Sequence, residues 1–126
     1  MSADQLSAST RLALQRTRLA VDRTLMAWVR TSLSLITFGF TIYKFFQFEA
    51  GRQIPVREGL IGPRGFALFM IGIGLTALLL ATVEHRRNIQ GLRAEGAAPS
   101  PTVAGVVAAL VGVLGALGFV SVLLRF

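Results

Sequence analysis

Apolar positions in this chain gather into three long runs, not the short alternating blocks of a water-soluble fold. The first spans Leu25 to Phe46 and is interrupted by Arg30 and Lys44; the second spans Gly65 to Val83 and the third Val103 to Leu124, both without a charge. A helix rises about 1.5 Å per residue, so about 20 residues cross about 30 Å of hydrocarbon. The pattern therefore predicts an all-α integral membrane protein with three transmembrane helices, at 25–46, 65–83 and 103–124. The first run is too long for the apolar core of a signal peptide, and no small-residue cleavage site follows it.

Residues 1–24 predict a basic amphipathic helix that extends the first span on its cytoplasmic side, and 25–126 a three-span membrane domain. Residues 1–38 hold neither Gly nor Pro, and Ser2 with Gln5 forms a candidate capping box. Leu12, Leu19 and Met26 recur every seven residues, as do Leu14, Val21 and Trp28. Such a stripe suits either a collar against neighbouring subunits or a helix lying on the inner leaflet. Pro55, Gly59, Gly62 and Pro63 mark turns in an outer loop at 47–64, and an inner loop at 84–102 ends in the linker-like GAAPSP.

Composition narrows the function classes. Of 126 residues, 53% are hydrophobic and 15% charged, more apolar surface than one soluble core of this size hides. The absence of cysteine excludes disulfide frameworks, thiolate metal sites and thiol nucleophiles. The net charge of +7, carried by twelve Arg and one Lys among the basic residues, points to anionic lipid headgroups before nucleic acid. Arg11, Arg16, Arg18, Arg23 and Arg30 share a side with Arg86, Arg87 and Arg93; Lys44, Arg52, Arg57, Arg64 and Arg125 fall on the other. That bias places the N-terminus in the cytoplasm and the C-terminus outside. Trp28 falls near one interface, and Tyr43, Phe45, Phe46 and Phe48 near the other, as in an aromatic belt.

The polar residues of the first span carry the candidate chemistry. Arg16, Arg23, Arg30, Thr37 and Lys44 are seven apart, and Ser34 and Thr41 fall between them on the same face. Seven residues turn about 700° on a helix, so successive members drift only about 20°. The ladder Arg23, Arg30, Ser34, Thr37, Thr41, Lys44 thus runs the length of the span. Cations facing lipid at depth are costly, so the ladder should face protein or water, and Arg/Lys rings suit an anion path. Singly, each residue also has a structural explanation. Arg30 and Lys44 can reach the headgroups, and the hydroxyls can bond back to their own helix.

Asp22 and Glu84 are candidate ion-pair partners for Arg23 and Arg30. His85, the sole histidine, reads as part of a solvated interfacial cluster, and no metal or other cofactor is expected. No acidic residue lies within a span, which argues against a proton-coupled exporter. Ala108, Gly112 and Ala116 repeat every four residues in the third span and predict a close-packing face, between subunits or within one chain. Gly72, Gly74 and Thr76 form a smaller patch of the same kind. No nucleophile–base pair or phosphate-binding Gly loop is present, so an enzyme is not expected.

The stretch from Leu19 to Ile36, with Asp22-Arg23-Thr24 and Ala27-Trp28-Val29-Arg30-Thr31-Ser32 at its heart, resembles the signature of the YidH-type "domain of unknown function" family of bacterial inner-membrane proteins. The resemblance extends to His85-Arg86-Arg87 and to the three-span layout. The first two spans of that family are also similar to the membrane part of the eukaryotic vacuolar transporter chaperone, where a five-helix-lined channel conducts polyphosphate. That similarity implies a pore role for Arg23 and Arg30, a homo-oligomer of five and inorganic phosphate or polyphosphate as partner. A phosphate-sensing domain and a polymerase domain have no counterpart in this chain. The sequence thus leaves two readings, a small homo-oligomeric anion channel and a non-conducting membrane adaptor of a larger complex.

Overall fold

The computed structural model describes residues 2–51, 62–94 and 102–124. Pro55, Gly59, the 96–101 linker, Arg52, Arg57, Arg125 and the Arg93 side chain lie outside the described residues. Three helices follow in order, α1 (Ala3–Ala50), α2 (Pro63–Ala94) and α3 (Val103–Leu123), with no strand among the described residues. They form an antiparallel hairpin of α1 and α2 with α3 packed against both.

Capping chemistry explains the helix starts. Ser2 Oγ accepts from the Gln5 N–H at 3.3 Å, and Gln5 Oε1 accepts from the Ser2 N–H at 3.1 Å, completing the expected capping box. Asp4 adds a carboxylate in the first turn, favourable at the positive end of the helix dipole. Pro63 opens α2, where its missing N–H costs nothing. Thr102 caps α3 by accepting from the Gly105 N–H at 3.1 Å. Both hairpin helices outrun their apolar runs. α1 continues to Ala50, and α2 continues to Ala94 through a segment that composition alone had placed in a loop. Residues 84–94 contain only one helix-breaking residue, Gly91, and otherwise good helix formers.

The core lies along one seam on each helix. On α1 it is Leu25, Val29, Ser32, Ile36, Gly39 and Tyr43; on α2 Ala67, Ile71, Gly74, Leu78, Ala81 and His85; on α3 Ala104, Ala108, Val111, Gly115 and Val122. The steps are three or four, or their sum of seven from Gly115 to Val122, the spacing that keeps a seam turned to its neighbours. Tyr43 belongs to this seam, buried with the core and not in the aromatic belt that its position suggested. Phe45, Phe46 and Phe48 remain exposed.

Two glycines set the hairpin spacing. A Cβ on Gly39 would stand 3.0 Å from the Ala67 carbonyl oxygen, and one on Gly74 would stand 3.0 Å from that of Ser32. In both cases the obstacle is backbone of the facing helix, so the glycines permit an approach no larger residue allows.

Only 28%, 28% and 22% of the three apolar windows is buried within the chain. Phe69, Leu79, Leu80, Leu110, Val113, Leu114 and Leu117 all stand exposed. In water this surface would be untenable; in hydrocarbon it is the expected exterior. The three helices are each long and apolar enough to cross a membrane, and the chain is a multi-pass membrane protein.

Candidate functional site: a polar ladder on α1 and a three-helix polar node

The ladder residues sit on the outside of the bundle. Arg23, Arg30, Ser34, Thr37 and Thr41 are exposed and Lys44 is half-buried. At 100° per residue, their mean direction lies about 140° around α1 from the buried seam. The periodicity of the seam turns α1 toward α2 and α3, and the same period on the opposite face gathers the polar groups together.

Several ladder groups satisfy themselves locally. Ser34 donates its hydroxyl to the Arg30 carbonyl at 2.9 Å. Lys44 donates to Gln47 Oε1 at 3.2 Å and lies 5.7 Å and 5.8 Å from the ring centres of Phe40 and Tyr43. The guanidinium groups of Arg23 and Arg30 and the hydroxyls of Thr37 and Thr41 meet no partner among the described residues. Glu84 is exposed and pairs with neither arginine.

Asp22 faces a different group. Its Oδ1 lies 3.7 Å from His85 Nε2, a Coulombic contact slightly longer than a hydrogen bond. The same Nε2 lies 3.2 Å from Thr102 Oγ1, the hydroxyl that caps α3. One imidazole thus touches α1 through Asp22 and the start of α3 through Thr102. His85 is only 7% exposed, which replaces the expected solvated cluster with a buried junction. The seam explains why: His85 continues the series Ala67, Ile71, Gly74, Leu78, Ala81 by one more step. Sequence reading passed over the junction because a helix boundary drawn at Val83 left that step out. Arg64 was likewise visible only as a loop charge. Its Nη2 donates to the Leu123 carbonyl at 2.6 Å and its Nε to that of Val122 at 3.3 Å, covering free carbonyls at the end of α3.

The small-residue face of α3 turns inward at its start and outward toward its end. Ala108 is buried, Gly112 is half-buried, where an added Cβ would stand 3.6 Å from Leu78 Cδ2, and Ala116 is exposed. Gly115 carries the closest approach, where a Cβ would meet Leu75 Cδ2 at 2.7 Å and Ile36 Cδ1 at 2.8 Å. In α2, Gly74 takes part in packing, whereas Gly72 has open space around it and Thr76 is exposed. Among the described residues no group of three His, Asp or Glu side chains is placed to hold a metal.

Residues 10–91 match the family described as Domain of unknown function (DUF202). The chain belongs to the DUF202 family. The DUF202 segment takes in nearly all of α1 and most of α2, and with them the whole ladder, Asp22 and His85. Thr102 and α3 lie beyond it. No curated protein and no solved structure matches the chain.

Proposed function

We propose that this DUF202 protein is a small homo-oligomeric channel for anions, with α1 of each subunit turned toward a shared axis. One observation carries the reading. Five of the six ladder residues stand exposed on the face of α1 turned away from the buried seam, Lys44 being half-buried, and Arg23 and Arg30 have no counter-charge among the described residues. A lone Arg at depth in lipid costs about 2.5–3.5 kcal/mol on insertion scales, a penalty that a shared aqueous path removes. A ring of Arg30 would set a positive potential that admits anions and repels cations, with Arg23 at the inner mouth and Lys44 at the outer. In this proposal five subunits, and inorganic phosphate or polyphosphate as the permeant class, rest on the sequence resemblance to the vacuolar transporter chaperone alone. The YidH-type resemblance supports the bacterial inner membrane, and the charge bias supports a cytoplasmic N-terminus, an outside C-terminus and contact with anionic headgroups. In this reading the protein has no catalytic activity of its own and no nucleic-acid partner.

A second reading, a non-conducting adaptor, draws on the N-terminal half of α1. Leu12, Leu19 and Met26 remain exposed along one line there, a face suited to a partner helix.

Anion flux into liposomes carrying the purified protein tests the two. Arg30→Gln should cut flux about tenfold or more and Lys44→Gln distinctly less, because charge is least screened where water is scarcest. Unchanged flux in assembled Arg30→Gln protein would remove the channel reading and leave the adaptor.

A further inference from the structure

A groove of about 220 Å³ opens between α1 and α2 beside the node, on a different flank of α1 from the ladder. Its walls include Thr17, Thr24 and Trp28 of α1 and Glu84, His85 and Asn88 of α2. Its apolar end is formed where the spans begin, at Leu25 and Ala81. Its polar end reaches the charged segments.

The groove offers several hydrogen-bond acceptors beside the Trp28 indole N–H and the Asn88 amide. Thr17 and Thr24 donate their hydroxyl hydrogens to the carbonyls of Ala13 and Ala20, at 3.0 Å and 3.1 Å, which leaves oxygen lone pairs toward the groove. Glu84 contributes an exposed carboxylate. His85 Nε2 faces the Asp22 carboxylate, which can only accept, and Thr102 Oγ1. His85 Nδ1 is buried and has no hydrogen-bond partner among the described residues. A buried polar atom left unpaired is costly, and one in a groove wall invites a partner from outside. Trp28 adds an aromatic surface, 45% exposed, of the kind that attracts cations.

We infer that the groove binds the primary ammonium of a zwitterionic phospholipid headgroup. The ammonium offers three donors to a site that holds hydroxyl lone pairs, a carboxylate and an indole face. A lipid suits the position better than a free polyamine. Arg16, Arg86 and Arg87 are exposed near the same level of the helices without lining the groove. These arginines repel a free polycation but complement the phosphate that a headgroup carries beside its ammonium. Acyl chains would continue from the apolar end of the groove along the exposed face of the spans. The site stands whether or not the ladder conducts.

Trp28 is the chain's sole tryptophan, so its emission reports on this groove alone. The full chain is reconstituted in phosphatidylcholine vesicles, and brominated phosphatidylethanolamine or brominated phosphatidylcholine is added at equal mole fraction. Phosphatidylethanolamine should quench Trp28 with about fivefold higher effective affinity, the increment of one ammonium contact on an aromatic and a carboxylate. Glu84→Gln, a substitution at an exposed position that leaves the fold intact, should erase most of that preference. Equal quenching by the two lipids, stronger quenching by brominated phosphatidylglycerol, or a preference unchanged in Glu84→Gln would each overturn the assignment. Spermidine added to unbrominated phosphatidylcholine vesicles should leave Trp28 emission unchanged. A saturable response at micromolar spermidine would give the site to a soluble amine and overturn the lipid assignment.

Discussion

The ladder and the node are both polar constellations on α1, and they differ in almost every physical respect. The ladder is long, periodic, exposed and contained within one helix. The node is a cluster of three residues from three different segments, and two of its groups are largely sheltered from solvent. In the ladder each residue either bonds back to its own helix or meets no partner among the described residues. In the node each group touches another helix. Polar residues can be aligned by the helix period alone, but only a tertiary fold can bring Asp22, His85 and Thr102 together. The first arrangement waits for something outside the chain, and the second holds the chain together.

Stability measurements can break this contrast. His85→Ala should have the largest effect, about 2–3 kcal/mol, because it opens a cavity and strands Asp22 and the cap of α3 at once. Reversible denaturant unfolding in detergent, followed by circular dichroism, would read it. A loss below about 0.5 kcal/mol would mean that the junction does not hold the helices. Arg64→Ala comes next, with a loss of about 1 kcal/mol. It uncovers the Val122 and Leu123 carbonyls while removing no buried side chain. Hydrogen exchange should accelerate at the end of α3 and not at Thr102. The smallest effect belongs to the ladder. Arg30→Gln should change the stability of the detergent-solubilised subunit by less than about 0.5 kcal/mol, as expected for an exposed group without a partner. A loss as large as that of His85→Ala would show that Arg30 is structural and that the two regions differ less than their geometry implies.

The legible and illegible parts of the molecule divide along the same line. Three helices, their approximate places and the Ser2–Gln5 cap follow from local chemistry, which hydropathy and capping patterns report directly. The outward ladder also follows, since one period describes both its residues and the seam behind them. Helix ends were less legible. The change from apolar to charged residues after Val83 marks where the apolar span stops, and α2 continues through it to Ala94. Drawing the boundary there hid His85, whose role depends on belonging to the seam. Tyr43 misled for a related reason, because an aromatic near the end of an apolar run suits both an interface belt and a core. Arg64 could not have been assigned from local pattern at all, since its acceptors lie 58 and 59 residues away.

The uninterrupted length of α1 has a mechanical consequence. Forty-eight residues make a rod about 72 Å long, more than twice the thickness of a hydrocarbon core. Before Gly39 it contains neither glycine nor proline, so nothing within its first 36 residues offers a hinge. The part preceding Leu25 alone projects about 33 Å. A tilt of only about 5° about Gly39 would sweep the Ala3 tip, about 54 Å away, through about 5 Å, by lever geometry on the helical rise. Motion within the bilayer is thereby amplified at the far end, and a load applied to the tip acts back on the packed glycines at Gly39 and Gly74. The helix is a lever arm whose fulcrum is the glycine-spaced contact with α2.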